Sequence, residues 1–303
     1  VVGEVFRDAG VPNGVFEVLL IPNQRVAAVI EDPRITAVTL TGSTAAGRSV
    51  AAAAGRSLKP AVLELGGSDA FIVLEDADLE EAATVAARSR FQNAGQSCIS
   101  AKRFIVVDSV AGEFEELLVE RALAMVVGDP TRDSVTMGPL ARGDLRDTIE
   151  RQLRESLAMG ATLRCGGTRP EGHGYYFTPA VVTGCTAAMP AFREETFGPL
   201  AAVMRVGSAD AAIAAANSSD FGLGGNIWTR DEERGLSLAR RMDSGGVFIN
   251  GMTHSDPRIP FGGVKESGYG RELASFGIRE FVNVKTIWLP QKGETSAAGI
   301  LTE

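Results

Sequence analysis

A chain of 303 residues with 45% hydrophobic and 22% charged side chains has the balance of a folded globular protein and is long enough for about two cores. No apolar run reaches the roughly 18 residues of a membrane span, and a formal charge of −8 sets the surface against phosphate backbones, so neither a membrane nor a nucleic acid is an expected partner. Three cysteines without C-x-x-C spacing and two distant histidines indicate neither a disulfide framework nor a metal site.

Along the chain, short runs rich in β-branched residues alternate with helical patterns. A strand over 35–41 precedes a helix over 45–58, whose alanines at 51–54 suit a helix interior. Strands over 70–74 and 104–107 are followed by helices over 79–91 and 110–124. Later strands are expected over 177–182, 200–206, 226–229 and 246–249, with helices over 210–216 and 231–242. Such alternation signals βαβ units and a largely parallel sheet, hence an α/β fold. After a helix around 272–276, residues 281–289 read as one long strand, either an edge of the same domain or a pairing element for another subunit. The start Val1-Val2-Gly3-Glu4 lacks the basic and apolar segments of a secretory leader, so the expected setting is cytoplasmic.

Three segments can carry chemistry. Gly42-Ser43-Thr44-Ala45-Ala46-Gly47-Arg48 follows a strand and opens a helix, where free amides and the positive helix end suit a phosphate. It nearly spells a P-loop, but arginine stands where that motif needs lysine. A plain strand-to-helix turn explains it equally well. Glu64-Leu65-Gly66-Gly67 ends an apolar strand, where burial would raise a carboxylate pKa and suit it to general-base work; an ordinary loop acid is the alternative. Phe91-Gln92-Asn93-Ala94-Gly95-Gln96-Ser97-Cys98 ends a helix and delivers a thiol on a turn, a position expected to lower its pKa and expose the sulfur. Cys165 and Cys185 lie beside strands and read as packing residues. Asp243-Ser244-Gly245-Gly246 echoes a serine-protease motif, but in an α/β chain with two histidines it is read as coincidence.

Taken in order, Glu64-Leu-Gly-Gly, Cys98 thirty-four residues on, Glu194-Glu195-Thr196-Phe197-Gly198-Pro199 and Pro260-Phe261-Gly262-Gly263-Val264-Lys265-Glu266-Ser267-Gly268 resemble the aldehyde dehydrogenase superfamily over about 1–289. The wording around Ser68-Asp69, Cys98 and 277–286 is most similar to bacterial succinate-semialdehyde dehydrogenases. The resemblance implies that Cys98 attacks an aldehyde and becomes a thioester, that Glu64 activates the hydrolytic water, and that NAD or NADP takes up hydride. It further implies that Glu195 holds the nicotinamide ribose, Phe197 packs near the nicotinamide and Ser43 contacts the pyrophosphate. Gly42, Gly47, Leu65 and Gly66 line the cofactor site, and Glu272 is an accessory carboxylate. For a carboxylate-bearing substrate, Gln92, Ser255 and Arg258 are the candidates.

The implied organisation is a Rossmann-like cofactor domain from 1–65 and 268–281, a catalytic domain over 66–267, and an oligomerisation strand and tail over 282–303, in a homodimer or homotetramer. By the same resemblance about a third of the usual chain lies upstream of Val1, with the Pro-Trp-Asn-type segment that completes the oxyanion hole. These 303 residues alone are then expected to be weakly active or inactive. The competing expectations are a purely structural role for an impaired fragment, and a P-loop nucleotide hydrolase.

Overall fold

The computed structural model describes residues 1–289. The chain opens with α1 (Val2–Asp8), α2 (Val26–Glu31), β1 (Val38–Thr41), α3 (Thr44–Arg56) and β2 (Ala61–Glu64). It continues through β3 (Asp69–Val73), α4 (Leu79–Phe91), β4 (Ala101–Val107), α5 (Asp108–Leu123), α6 (Gly143–Ala158), β5 (Thr162–Cys165), β6 (Ala180–Thr183), α7 (Pro190–Arg193) and β7 (Leu200–Val206). The remainder is α8 (Ala209–Asn217), β8 (Phe221–Gly222), β9 (Gly225–Trp228), α9 (Glu232–Ala239), β10 (Phe248–Ile249), β11 (Val264–Lys265), β12 (Gly268–Tyr269) and α10 (Ala274–Arg279).

Two main sheets organise these elements, and β8 and β11 form a third, two-stranded antiparallel one. The larger runs β10-β9-β3-β4-β7-β6-β5, parallel throughout except for β5, which lies antiparallel on β6. The smaller runs β1-β2-β12, with α3 as the crossover between parallel β1 and β2 and with β12 antiparallel on β2. A parallel strand covered on both faces reads as a near-continuous apolar run. β3 and β4 are buried at every residue, and Phe71 meets Phe104 and Trp228 at ring separations of 5.4 and 5.7 Å. The smaller sheet has its own apolar cluster of Ile30, Val50, Ala53, Ala54, Leu63 and Leu65.

Local signals start the helices where the sequence places them. Ser43 caps α3 by accepting from the Ala46 amide at 3.3 Å, and Asp78 caps α4 by accepting from Glu81 at 3.2 Å. The buried face of α4 carries Ala82, Ala83, Ala86 and Ala87, whose small side chains let α5 pack closely.

Besides the added short elements α1, α2, β5 and α7, the structure departs from the sequence pattern in two larger ways. No strand forms within 281–289: residues 283–289 carry no regular structure, and Val284, Ile287 and Trp288 are 86%, 80% and 60% exposed. An apolar alternating run makes a strand only when another strand offers it an edge, and this chain offers none there. The rest of the expected 282–303 segment lies outside the described residues. The second departure is α6, which the pattern had not singled out. Its apolar residues Leu145, Ile149 and Leu153 recur every four positions within a strongly charged segment, and the two buried ones anchor the helix.

Candidate active site

The two sheets meet end to end. Thr41 and Glu64 close the carboxyl ends of β1 and β2, and five residues after Glu64 the chain enters the amino end of β3. Around this seam gather the loops that enter three neighbouring strands of the larger sheet: Gly66–Gly67 before β3, Cys98 before β4, and Glu195–Phe197 before β7. Backbone bonds fix the seam. Gly42 N donates to Glu64 O at 2.9 Å, Leu65 N to Ser267 O at 3.0 Å, and the Ser267 hydroxyl to Gly66 O at 2.7 Å.

The paired glycines are demanded by what surrounds them. A Cβ on Gly66 would stand 2.5 Å from Glu195 Oε2, and one on Gly67 would collide with the Cys98 carbonyl oxygen. The Gly67 amide donates to Glu195 Oε1 at 2.9 Å. The segment after Glu64 therefore holds the Glu195 carboxylate and the Cys98 backbone against one short stretch of chain.

Glu64 is 4% exposed, and neither carboxylate oxygen has a hydrogen-bond partner. Burial, and next the like charge of Glu272, push its pKa up from 4.5 to about 7, with Arg271 opposing. Glu272 is held by an antiparallel bridge to Phe261, with bonds of 2.7 and 2.8 Å. Arg271 donates to the carbonyls of Gly263 and Gly270. A Cβ on Gly262 would reach within 2.8 Å of Glu64 Oε1, so this loop closes over the carboxylate.

Cys98 is half-buried on a turn that follows three consecutive left-handed residues, Asn93, Ala94 and Gly95. Its thiol corrects the sequence expectation of a lowered pKa. Burial pushes the pKa up, and the nearby Lys102 ammonium only partly opposes this. Placement after a helix says nothing about desolvation, and here desolvation wins. The Cys165 thiol is also raised by its burial, and Cys185, more deeply buried, is pushed up to about 12.

Sequence reasoning missed the buried charges behind this site. Arg90, fully buried on α4, donates to the carbonyls of Gly95, Thr196, Gly198 and Ala101 at 2.7 to 3.2 Å, tying the Cys98 turn to the Glu195 loop. Arg103 fastens Ser68 O to the end of α8 through Ala215 O and Ala216 O. Lys102 donates to Ser97 O and Cys98 O, both at 2.9 Å, and stands 3.8 Å from Glu195 Oε1. The available signal was Lys102-Arg103 inside an apolar strand, since buried cations must find acceptors.

The other candidates divide. Gly42 and Ser43 are exposed at the start of α3, and buried Gly47 packs against Leu65. Arg48 is engaged by Glu266 at 2.5 Å, which occupies the side chain a P-loop reading would need. Phe197 is half-buried beside Glu195. Gln92 lines a groove between α4 and α5 with Arg88, Phe91, Arg121 and Met125. Ser255 and Arg258 are exposed, and Arg258 is held by Asp256. Neither lines the adjoining cavity, which is formed by Leu223, Phe248, Thr253, His254, Phe261 and Gly262. Among the described residues no cluster of potential metal ligands occurs, and no helix is long and apolar enough to cross a membrane.

The model of the aldehyde dehydrogenase family matches residues 1–287. The chain is 50% identical over 286 residues to an aldehyde dehydrogenase of Paenarthrobacter nicotinovorans, covering 94% of this chain and 62% of that protein. It is 49% identical over 296 residues to a succinate-semialdehyde dehydrogenase [NADP(+)] of Mycobacterium avium, covering 98% and 63%. Its fold is similar to the crystal structure of succinic semialdehyde dehydrogenase from Streptococcus pyogenes in complex with NADP+, with a TM-score of 0.92 and 40% identity over 95% of this chain and 63% of that one. The chain thus spans somewhat under two thirds of the length of the relatives it matches.

Proposed function

Because this chain belongs to the aldehyde dehydrogenase family, we propose that it supplies the nucleophile, the base and much of the cofactor site of an NAD(P)-dependent oxidation of an aldehyde to a carboxylic acid. The observation that carries the reading is the seam itself: an unpartnered buried glutamate with a pKa near 7 heads the glycine pair that abuts both Cys98 and Glu195.

In this mechanism Cys98 Sγ, as thiolate, adds to the aldehyde carbon and forms a thiohemiacetal. NAD or NADP, when bound, supplies the acceptor for the hydride that leaves this carbon. The Cys98 thioester that remains is cleaved by water, from which Glu64 removes the proton. A carboxylate with a pKa near 7 suits that task, because it is ionised in half the molecules at neutral pH and still basic enough to accept a proton. Cys98 itself must lose a proton from a thiol whose pKa burial has raised.

The cofactor fits the residues present. The exposed Gly42–Ser43 turn opens a 13-residue helix whose first-turn amides suit a diphosphate. Glu195, already accepting from the Gly67 amide, is positioned to accept from ribose hydroxyls, with Phe197 beside it. By the same reading β1, α3, β2 and β12 belong to the cofactor domain and the seven-stranded sheet to the catalytic one. The whole protein assembles as a homodimer or homotetramer.

Succinate semialdehyde is the proposed substrate, supported by the names of several relatives. The guanidinium of Arg258 would then have to leave Asp256 to meet the substrate carboxylate. Rapid quenching after mixing the complete protein with aldehyde and oxidised cofactor, followed by peptide mapping, tests the chemistry: a thioester is expected on Cys98. Turnover without an acylated Cys98 would overturn the mechanism. A kcat/KM no higher for succinate semialdehyde than for a neutral aldehyde of equal length would overturn the substrate while leaving the chemistry.

A further inference from the structure

Three fully or nearly fully buried cations lie behind the Cys98 turn, and two of them are accounted for by backbone. Arg90 and Arg103 bind carbonyl oxygens of separate loops and staple those loops together. Lys102 also binds carbonyls, but both belong to the Cys98 turn itself. Its ammonium, with no solvent exposure, holds only the carbonyls of Ser97 and Cys98, and its nearest anion is Glu195 Oε1 at a loose 3.8 Å. A buried charge is costly to keep, and a well-packed apolar residue would fill the same position at lower cost. We propose that Lys102 is a positioning residue for Cys98, tethering the nucleophile turn through the two carbonyls and supplying the positive charge that favours the thiolate. This rests on the reading of Cys98 as the nucleophile.

The charged groups around the thiol come from three elements: Lys102 on β4, Asp69 at the start of β3, and Glu195 on the loop before β7. Of these charges Lys102 favours the thiolate, aided by the Ile99 backbone amide, and the two carboxylates oppose it. Arg90, from α4, acts on the Lys102 ammonium, whose charge it disfavours. Burial brings the Lys102 pKa down to about 8, with Glu195 and Asp69 holding it up against Arg90. Lys102 therefore stays charged at neutral pH, and the low dielectric that penalises it also leaves its field on the neighbouring sulfur little screened.

The test reads thiol ionisation directly. Alkylation of Cys98 by iodoacetamide is followed by peptide mass spectrometry from pH 6 to 10, with Cys165 as internal reference. Lys102→Met and Lys102→Gln should slow Cys98 alkylation about tenfold at pH 7.5, as expected when a nearby opposite charge worth about one pH unit is removed, while Cys165 is unaffected. Lys102→Arg, which keeps the charge, should stay within about threefold of the unsubstituted rate. Unchanged Cys98 rates in the two neutral variants, or equal slowing in all three, would overturn the proposal.

A measurement on the unsubstituted chain stands whether or not the variants fold. The protein has five lysines, so the Lys102 titration can be resolved by NMR of labelled lysine. Its midpoint should lie about one pH unit higher with Cys98 carboxymethylated than with Cys98 carboxamidomethylated, because the coupling is reciprocal. Identical midpoints would refute the coupling. Neither readout uses aldehyde or cofactor, so failure here is distinct from failure of the dehydrogenase reading.

Discussion

Replacing Glu64 by glutamine should make the protein more stable, and only above a defined pH. In the folded state Glu64 keeps its proton until about pH 7, whereas an unfolded chain releases it near 4.5. Between these values the folded state binds the extra proton, so the stability of the unsubstituted protein falls as pH rises from 4.5 through 7 and then stays lowered. At about 1.4 kcal/mol per pH unit the full cost is roughly 3 kcal/mol. Glu64→Gln removes the charge and keeps the shape, so it should recover about 1 to 3 kcal/mol at pH 8.5, less whatever its buried amide loses for want of partners. At pH 4.5 the two proteins should be nearly equal. Urea unfolding at both pH values, compared through midpoints at constant slope, measures the difference. The same difference at both pH values, or a less stable variant at pH 8.5, would refute the account of Glu64 as a carboxylate held against its preference for water.

Turnover of the complete enzyme should rise with pH through about 7 as Glu64 ionises, and the limb should vanish in Glu64→Gln; a persistent limb in the variant would assign it to another group. Arg90→Met strands the carbonyls of Gly95 and Gly198 in the interior and should cost about 3 to 5 kcal/mol in chemical unfolding; a loss under 1 kcal/mol would show that those loops hold without it. Glu195→Gln should raise the NAD(P) dissociation constant about tenfold by calorimetry, the loss of roughly one charge-assisted hydrogen bond, and an unchanged constant would remove Glu195 from the cofactor site.

The alternation of strands and helices was legible because each strand of a parallel sheet must be apolar on both faces, and the runs at 70–74, 104–107 and 200–206 have no other use. A shared site for Glu64, Cys98 and Glu195 was implied only by the family resemblance that their motifs carry, and the structure places their loops around one seam. What stayed hidden is informative. Arg90 and Lys102 bind backbone carbonyls, and a carbonyl looks the same at every position, so no side-chain pattern announces the partner. Helix position misleads for the Cys98 thiol because it is local, while the charges around that thiol come from as far away in the chain as Asp69 and Glu195. Residues 281–289 carry the alternation of a strand, but alternation cannot supply the neighbour that a strand needs.

The proposed chemistry gathers at the amino ends of β3, β4 and β7, which leaves their carboxyl ends unoccupied by it. At about 3.3 Å per residue, the seven residues of β4 put roughly 20 Å of rigid core between Cys98 and the exposed bend at Gly207. Sequence drift, an epitope or a whole inserted module could therefore accumulate on that far rim while turnover stays constant, so the two poles of one sheet are free to evolve at different rates.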